Sequence, residues 1–376
     1  MHIVVNTRLL LYQKLDGIGW FSYQTLKRIV LLHPEVKFTF LFDRPYHEDF
    51  VFAENVTPLV LVPPARHPLL YIAYFEIAVK QKLKQLKPDL FLSLDGFLVT
   101  HCNTPQLPVI HDINFLHHPK DLKPAYRWYY NYFFPKFAKT AKRIATVSEY
   151  SKRDIHQNYG INLDKIDVVY NGINEGYCIL QEEDISLTRK KYSEGKPYFI
   201  FVGSQSPRKN LLRLIIAFNL FKEASSSDFH LVLAGSSFWG DNALKEVWEQ
   251  SEYKDQIHFT GRLTQEDLEK VVGAAFALSF IPYYEGFGIP MVEAMAAGVP
   301  VIAANTSCLP EIAGNAALYV DPFNTQDIAN GMLRLVQENG LSASLIEKGL
   351  VQAKTYSWDK SAHLLWQCIE KCLTKF

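Results

Sequence analysis

Two glutamates, Glu285 and Glu293, stand eight residues apart in YYEGFGIPMVEAMAAGVPVIAAN, around a Gly-Phe-Gly-Ile-Pro turn. A pair of carboxylates can cleave a glycosidic bond as acid and nucleophile. It can also ligate a metal, or accept hydrogen bonds from the hydroxyls of a ligand. The spacing matches neither H-E-x-x-H nor an EF-hand loop, which disfavours a metal. Gly286 and Gly288 leave room for a ligand against backbone N–H groups. Pro290 suits a first helical turn and Gly298 a helix stop. Glu285 is therefore expected in a loop and Glu293 about one turn inside a short helix. A first-turn glutamate favoured by the helix dipole is the plain alternative for Glu293.

A second set of candidates is basic. YFIFVGSQSPRKNLLRLI reads as strand, loop and helix, with Gly203 ending the strand and Asn210 a candidate cap. Arg208 and Lys209 lie just before the helix, where anions are favoured, and would strengthen a phosphate site. The stretch is not a P-loop, since GxxxxGK[ST] is missing, and PRKN alone also reads as a solvated turn. In the first half, Gly17 and Gly19 in LDGIGWFSYQTL form GxG without the third glycine of a dinucleotide fingerprint. That loop still suits close approach to a phosphate or sugar. His111, in LPVIHDINF, ends a strand-like run and is placed for a cleft; a satisfied structural histidine is the alternative. Ser148 in RIATVSEYSKRDI reads as an N-cap with Ser151 and Lys152 just inside the helix.

These residues need a scaffold, and the hydrophobic pattern supplies one. HIVVN, KFTFLF, PLVLV, DLFLSL, LPVIHD and RIATVS form one series of short apolar runs; YFIFVG, FHLVLAG, IHFTG, AFALSFIP and VPVIAA form another. Helix-like segments lie between them. The alternation predicts an α/β chain with two doubly wound, Rossmann-like domains and parallel sheets, with strands buried on both faces. Ligands in such sheets bind at the carboxyl ends of the strands, so two facing domains would make a cleft. A polar, weakly periodic stretch at residues 172–196 is the expected linker. The predicted division is 1–175, 176–355 and a C-terminal helix at 356–376 that packs back on the first domain.

Of 376 residues, 48% are hydrophobic and 21% charged, as in an ordinary globular protein. Net charge is zero, yet residues 1–170 carry 21 Lys+Arg against 15 Asp+Glu and the remainder 18 against 24. A basic first half could meet anionic lipids or a phosphorylated acceptor. YRWYYNYFFPKFAKTAKR at 126–143 is aromatic and ends basic, and Lys80, Lys82, Lys84 and Lys87 add charge. Such a surface could lie on a membrane; a helix packed on its own sheet with snorkelling lysines is the alternative. Five cysteines form no CxxC pair and read as reduced packing residues. Neither a signal peptide nor a membrane span is expected.

Taken in order, the motifs carry more than each does alone. Nearly the whole chain resembles the retaining GT-B glycosyltransferases of group 1, or family 4. The most specific match is Glu285-x7-Glu293 in EGFGIPMVEAMAAGVPVIA; VGSQSPRKN, VIHD, TVSEYSKRDI, YNGIN and YSWDKSA follow the family's order. GIGWFSYQTL resembles the mannosyltransferase-like branch. The resemblance implies sugar transfer from a GDP-, UDP- or ADP-sugar, best GDP-mannose, with retention at the anomeric carbon, to a glycan or lipid-linked acceptor. It implies no metal or other cofactor, no nucleic-acid partner, and a cytoplasmic enzyme, peripheral at the inner membrane face. Arg208 and Lys209 match its diphosphate-binding basic motif, Glu285 the glutamate at the donor sugar, and Glu293 that at the ribose. Gly17, Gly19, Gly203, Ser204, Gly286, Phe287, Gly288 and Ile289 complete the implied donor site, and His111 matches the histidine near the reacting sugar. Departures are Ser204, where many members carry Arg, and Ser206, where the mannosyltransferase branch often carries Glu. A non-catalytic nucleotide-sugar scaffold, a two-Rossmann oxidoreductase and a two-glutamate hydrolase are the rival readings.

Overall fold

The computed structural model describes residues 1–236 and 242–374, so the last two positions of the predicted C-terminal segment lie outside the described residues. The chain forms two compact units, Met1–Gly172 with Ser357–Phe376, and Ile173–Tyr356.

The first unit is built on a parallel sheet of β1 (His2–Asn6), β2 (Lys37–Phe42), β3 (Val56–Val60), β4 (Leu90–Ser93) and β5 (Gln106–Pro108), in the order β3-β2-β1-β4-β5. A parallel pair, β6 (Ile144–Thr146) and β7 (Ile166–Val168), continues it through a bridge between Val109 and Ala145. Strands such as IVVN and LFLS are buried along their length, because helices cover both faces. The first helix, Gly17–Leu32, packs on the last, Trp358–Leu373, and Ser361 donates to the Tyr170 carbonyl at 2.6 Å. A hydrogen at Gly172 is all that fits there, since a Cβ would stand 2.2 Å from the Trp358 nitrogen.

The second unit contains β8 (Tyr198–Val202), β9 (His230–Ala234), β10 (Ile257–Gly261), β11 (Ala277–Phe280), β12 (Val301–Ala304) and β13 (Ala317–Val320), all parallel. Their order, β10-β9-β8-β11-β12-β13, is the 3-2-1-4-5-6 order of dinucleotide-binding folds. The order reverses between β8 and β11, the kind of switch point at which open α/β sheets bind ligands.

Three expectations are corrected. The stretch at 172–196 is not a plain linker, because Glu182–Ser193 is a helix. Only Thr188 and Ser193 are buried on it, which is why its periodicity is weak; acids at its start and lysines at its end suit the dipole. β7 and β13 are not among the apolar runs; in β7 (IDV) an aspartate interrupts the run and only Ile166 is fully buried. Cys308, Cys368 and Cys372 are buried, but Cys178 is exposed rather than a packing residue of the core.

Candidate active site

The switch point between β8 and β11 gathers the basic motif and the first glutamate. After β8 the chain passes Gly203 and Ser204, makes one tight turn at Pro207–Lys209, and enters the helix Leu211–Ser225. Asn210 sits at φ 64° and does not cap that helix with its side chain. Its amide instead donates to the carbonyls of Ile281 at 3.0 Å and Pro322 at 2.7 Å, tying three loops together. The Tyr283 amide donates to the Arg208 carbonyl at 2.9 Å, so the loop after β11 is clamped against the loop after β8.

This clamp brings three charges together. Arg208 Nη1 donates to Glu285 Oε1 at 2.5 Å and to the Tyr284 carbonyl at 3.1 Å. Lys209 Nζ pairs with the same Glu285 oxygen and lies 5.1 Å from the centre of the Phe280 ring. Lys209 and Glu285 are both about nine-tenths buried. Burial alone would raise the Glu285 pKa, but Arg208 and Lys209 overcome it and hold the carboxyl below its ordinary 4.5. The cluster is thus ionised, with two cations against one anion.

Gly288 then turns the chain into the helix Ile289–Ala296. Its φ of +90° is a conformation few other residues adopt, and a Cβ would meet Leu309 at 2.9 Å. Pro290 lies in the first turn and Gly298 follows the end at φ +69°. Phe287 points inward, edge-on to Tyr356 at 5.3 Å, so only its backbone is available to a ligand. Ile289 is half-buried and Ser204 exposed.

Glu293 occupies a different environment. It is buried, receives a hydrogen bond from the Tyr177 hydroxyl, and lies 3.4 Å from Asn174 Nδ2. Neither partner is charged. Burial pushes its pKa from 4.5 up to about 8; the Tyr177 bond pulls the other way and the Glu269 carboxylate pushes further up. Sequence reasoning missed Tyr177 and Asn174. YNGIN contains Asn174, but nothing local in the sequence pairs either residue with a glutamate more than a hundred positions later.

In the first unit, Gly17 and Gly19 are not a loop but the first turn of Gly17–Leu32. Asp16 is the cap, and its carboxylate accepts the Gly19 amide at 2.9 Å. A Cβ on Gly19 would sit 3.1 Å from the Leu9 carbonyl, so packing is a sufficient reason for that glycine. His111 follows β5 and is half-buried. Its Nε2 lies 2.9 Å from the Leu94 carbonyl, which can only accept, so Nε2 carries the proton and Nδ1 the lone pair. Burial lowers its pKa below 6.5, against the Leu94 bond and the carboxylates of Asp112, Asp95 and Asp16. Phe21 meets the ring edge-on at 5.0 Å. Ser148 accepts the Ser151 amide at 3.0 Å and caps its helix.

Two family models match the chain: "Glycosyltransferase Family 4" at residues 25–176 and "Glycosyl transferases group 1" at 184–351. The chain carries a family 4 glycosyltransferase domain in its first half and a group 1 glycosyltransferase domain in its second. It is 27% identical to the O-antigen chain mannosyltransferase B of Escherichia coli, over 96% of this chain and 97% of that protein. It is 30% identical to the Salmonella typhimurium O-antigen chain mannosyltransferase RfbU over 59% of this chain and 60% of that one. Among solved structures, Anabaena HepE in complex with UDP and glucose aligns over 99% of this chain and all of its own, with a TM-score of 0.76 at 17% identity. The fold of this glycosyltransferase is accordingly GT-B, with one Rossmann-like domain in each unit.

Proposed function

We propose that this glycosyltransferase moves mannose from GDP-mannose to a glycan or lipid-linked acceptor in polysaccharide synthesis, with retention of anomeric configuration and no divalent metal. The observation that carries the reading is the Arg208–Lys209–Glu285 cluster at the switch point between β8 and β11. Two fixed cations there suit a nucleoside diphosphate, whose charge grows as the sugar leaves. A diphosphate that draws these cations leaves the Glu285 carboxylate to accept sugar hydroxyls. Backbone groups of Gly203, Ser204, Gly286, Phe287, Gly288 and Ile289 line the donor, and Glu293 accepts from the ribose.

In the reaction, the bond from the anomeric carbon to the diphosphate oxygen breaks. The acceptor hydroxyl oxygen bonds that carbon on the same face. Its proton passes to a diphosphate oxygen, and the nucleoside diphosphate departs. His111, with Nε2–H committed to Leu94, offers the Nδ1 lone pair to the reacting sugar or acceptor hydroxyl.

The mannosyl assignment draws on the O-antigen relatives and on GIGWFSYQTL and PRKN. A lipid-borne acceptor fits the helix Pro124–Thr140, which has no acidic residue. That helix buries Tyr129, Phe133, Phe134 and Phe137 and exposes Trp128 and Tyr132, with Lys136 Nζ 3.5 Å over the Tyr132 ring. Aromatic and basic groups on one exposed face suit an anionic membrane surface. Among the described residues, no helix is long and apolar enough to cross a membrane.

A thermal-shift screen with GDP, UDP, ADP and their sugars tests the donor. Stabilisation by GDP and GDP-mannose, followed by transfer that survives EDTA and yields the α-linked product, is expected. Selective stabilisation by UDP would overturn the GDP assignment, and loss of transfer in EDTA would overturn metal independence.

A further inference from the structure

The first unit has its own switch point, between β1 and β4, and it holds a buried charge pair with no role in the reaction so far. Arg8 follows β1 and Asp95 follows β4; both side chains are more than nine-tenths buried. Arg8 Nε donates to Asp95 Oδ2 at 2.5 Å. The guanidinium is 4.1 Å from the centre of the Phe97 ring and 5.1 Å from that of Tyr71, and its Nη1 donates to the Ala65 carbonyl at 3.3 Å. Asp95 Oδ1 accepts from Asn6 Nδ2 at 2.8 Å, from the Ser93 hydroxyl at 3.0 Å and from the Phe97 amide at 3.3 Å.

Those bonds bracket one peptide carbonyl. Leu94 lies between Ser93 and Asp95, and both neighbours are tied: Asp95 by the network just described, Ser93 by Asn6 Nδ2 at 3.1 Å and by the Val109 amide to its carbonyl at 2.8 Å. The Leu94 carbonyl is the group that takes Nε2–H of His111. A buried ion pair adds little net stability over well-packed apolar residues, so stability is a weak reason for placing one here. Orientation is a stronger one, because a ring held by a single carbonyl is only as fixed as that carbonyl.

We propose that Arg8 and Asp95 are positioning residues for His111: they lock the Leu94 carbonyl so that the imidazole keeps its proton on Nε2 and presents Nδ1. Groups that face the ring from neighbouring elements are Asp16 ahead of the first helix, Asp95 after β4 and Asp112 after β5. The consequence for rate rests on the role given to His111 above; the tautomer does not.

The experiment reads both, on the full chain. Imidazole nitrogen NMR of the wild type is expected to show His111 as the Nε2–H tautomer. In Asp95→Asn it becomes a mixture, while the rate of transfer falls roughly 10- to 100-fold, the scale of a misplaced group, with donor affinity unchanged. Removing one partner of a buried pair can unfold a chain, so Arg8→Met with Asp95→Leu carries the same two readouts in a charge-free, well-packed form. The account expects this double variant to melt near the wild type yet remain slow and tautomerically mixed. Full activity with an unchanged tautomer in the double variant would overturn the proposal and leave the pair as core packing. If His111→Ala transfers sugar at the wild-type rate while the tautomer still follows Asp95, the positioning stands and the role of His111 in the reaction falls.

Discussion

Glu285 and Glu293 are eight residues apart, and the two regions around them treat a carboxylate in opposite ways. In the loop after β11, Glu285 is enclosed but meets Arg208 and Lys209, so it stays charged below its ordinary pKa. One turn into the following helix, Glu293 is equally enclosed but meets a tyrosine and an asparagine, and is pushed up to about 8. Burial is common to both; the sign of the neighbouring charge decides. On the proposed function, one region is preset for a diphosphate and its sugar. The other holds a carboxyl that gains from hydroxyl donors, as two ribose hydroxyls would be. Equivalent roles as acid and nucleophile need both groups at one bond, and a glutamate already committed to two cations is a poor proton donor.

The largest effect should come from breaking the charged region. Glu285→Gln removes the anion that holds both cations and the proposed acceptor for the sugar hydroxyls. Transfer should fall by roughly 100- to 1,000-fold, the scale for losing one preorganised electrostatic group. Steady-state kinetics with the donor found by thermal shift checks this. A fall confined to hydrolysis, with transfer intact, would instead support the two-glutamate hydrolase.

Glu293→Gln sharpens the contrast, because function and stability should move in opposite directions. Donor affinity should drop about tenfold, the upper end for losing one ordinary hydrogen bond. Stability should rise at high pH. The folded-state pKa, near 8, lies above the unfolded 4.5, so between them the folded chain holds the extra proton. The stability Glu293 contributes at low pH is then lost as pH climbs through about 8. The Tm advantage of the variant should grow from about pH 5 to about pH 9 and be absent at the acid end. Equal melting at both ends would contradict the environment assigned to Glu293.

A control on the same physics lies at the other ends of the strands. His230 and His258 face each other at 2.8 Å, and burial with the His258 charge lowers His230 from 6.5 to about 4. Unfolded histidine binds its proton near 6.5 and the folded ring does not until about 4, so stability falls as pH drops through that window. His230→Asn should flatten the loss of Tm without changing donor binding. The smallest effect is expected at the surface: Trp128→Ala with Tyr132→Ala should weaken binding to anionic vesicles while leaving transfer to a water-soluble acceptor unchanged.

The strands, the family and the two glutamates could be read from the sequence because each is a local signal. IVVN and LVLA are buried on both faces and need only apolar runs; Pro290 and Gly298 mark the ends of a short helix. What escaped depends on distant partners. Asn210 reads as a cap, yet its amide ties Ile281 to Pro322. Glu293 reads as a first-turn acid, yet Tyr177 and burial determine its proton. The helix at Glu182–Ser193 buries too few side chains to show a period. Asn6 and Arg8 lie in one unremarkable stretch and Asp95 in another, and the two meet because β1 and β4 are neighbours.

The central claim is that Arg208 and Lys209 hold a nucleoside diphosphate at the β8–β11 switch point. Calorimetric titration of GDP into the wild type and into Lys209→Ala tests it most directly. The account predicts tight binding to the wild type and a loss of roughly tenfold or more in the variant, as expected for removing a charge-assisted contact to phosphate. Unchanged affinity in Lys209→Ala would contradict it.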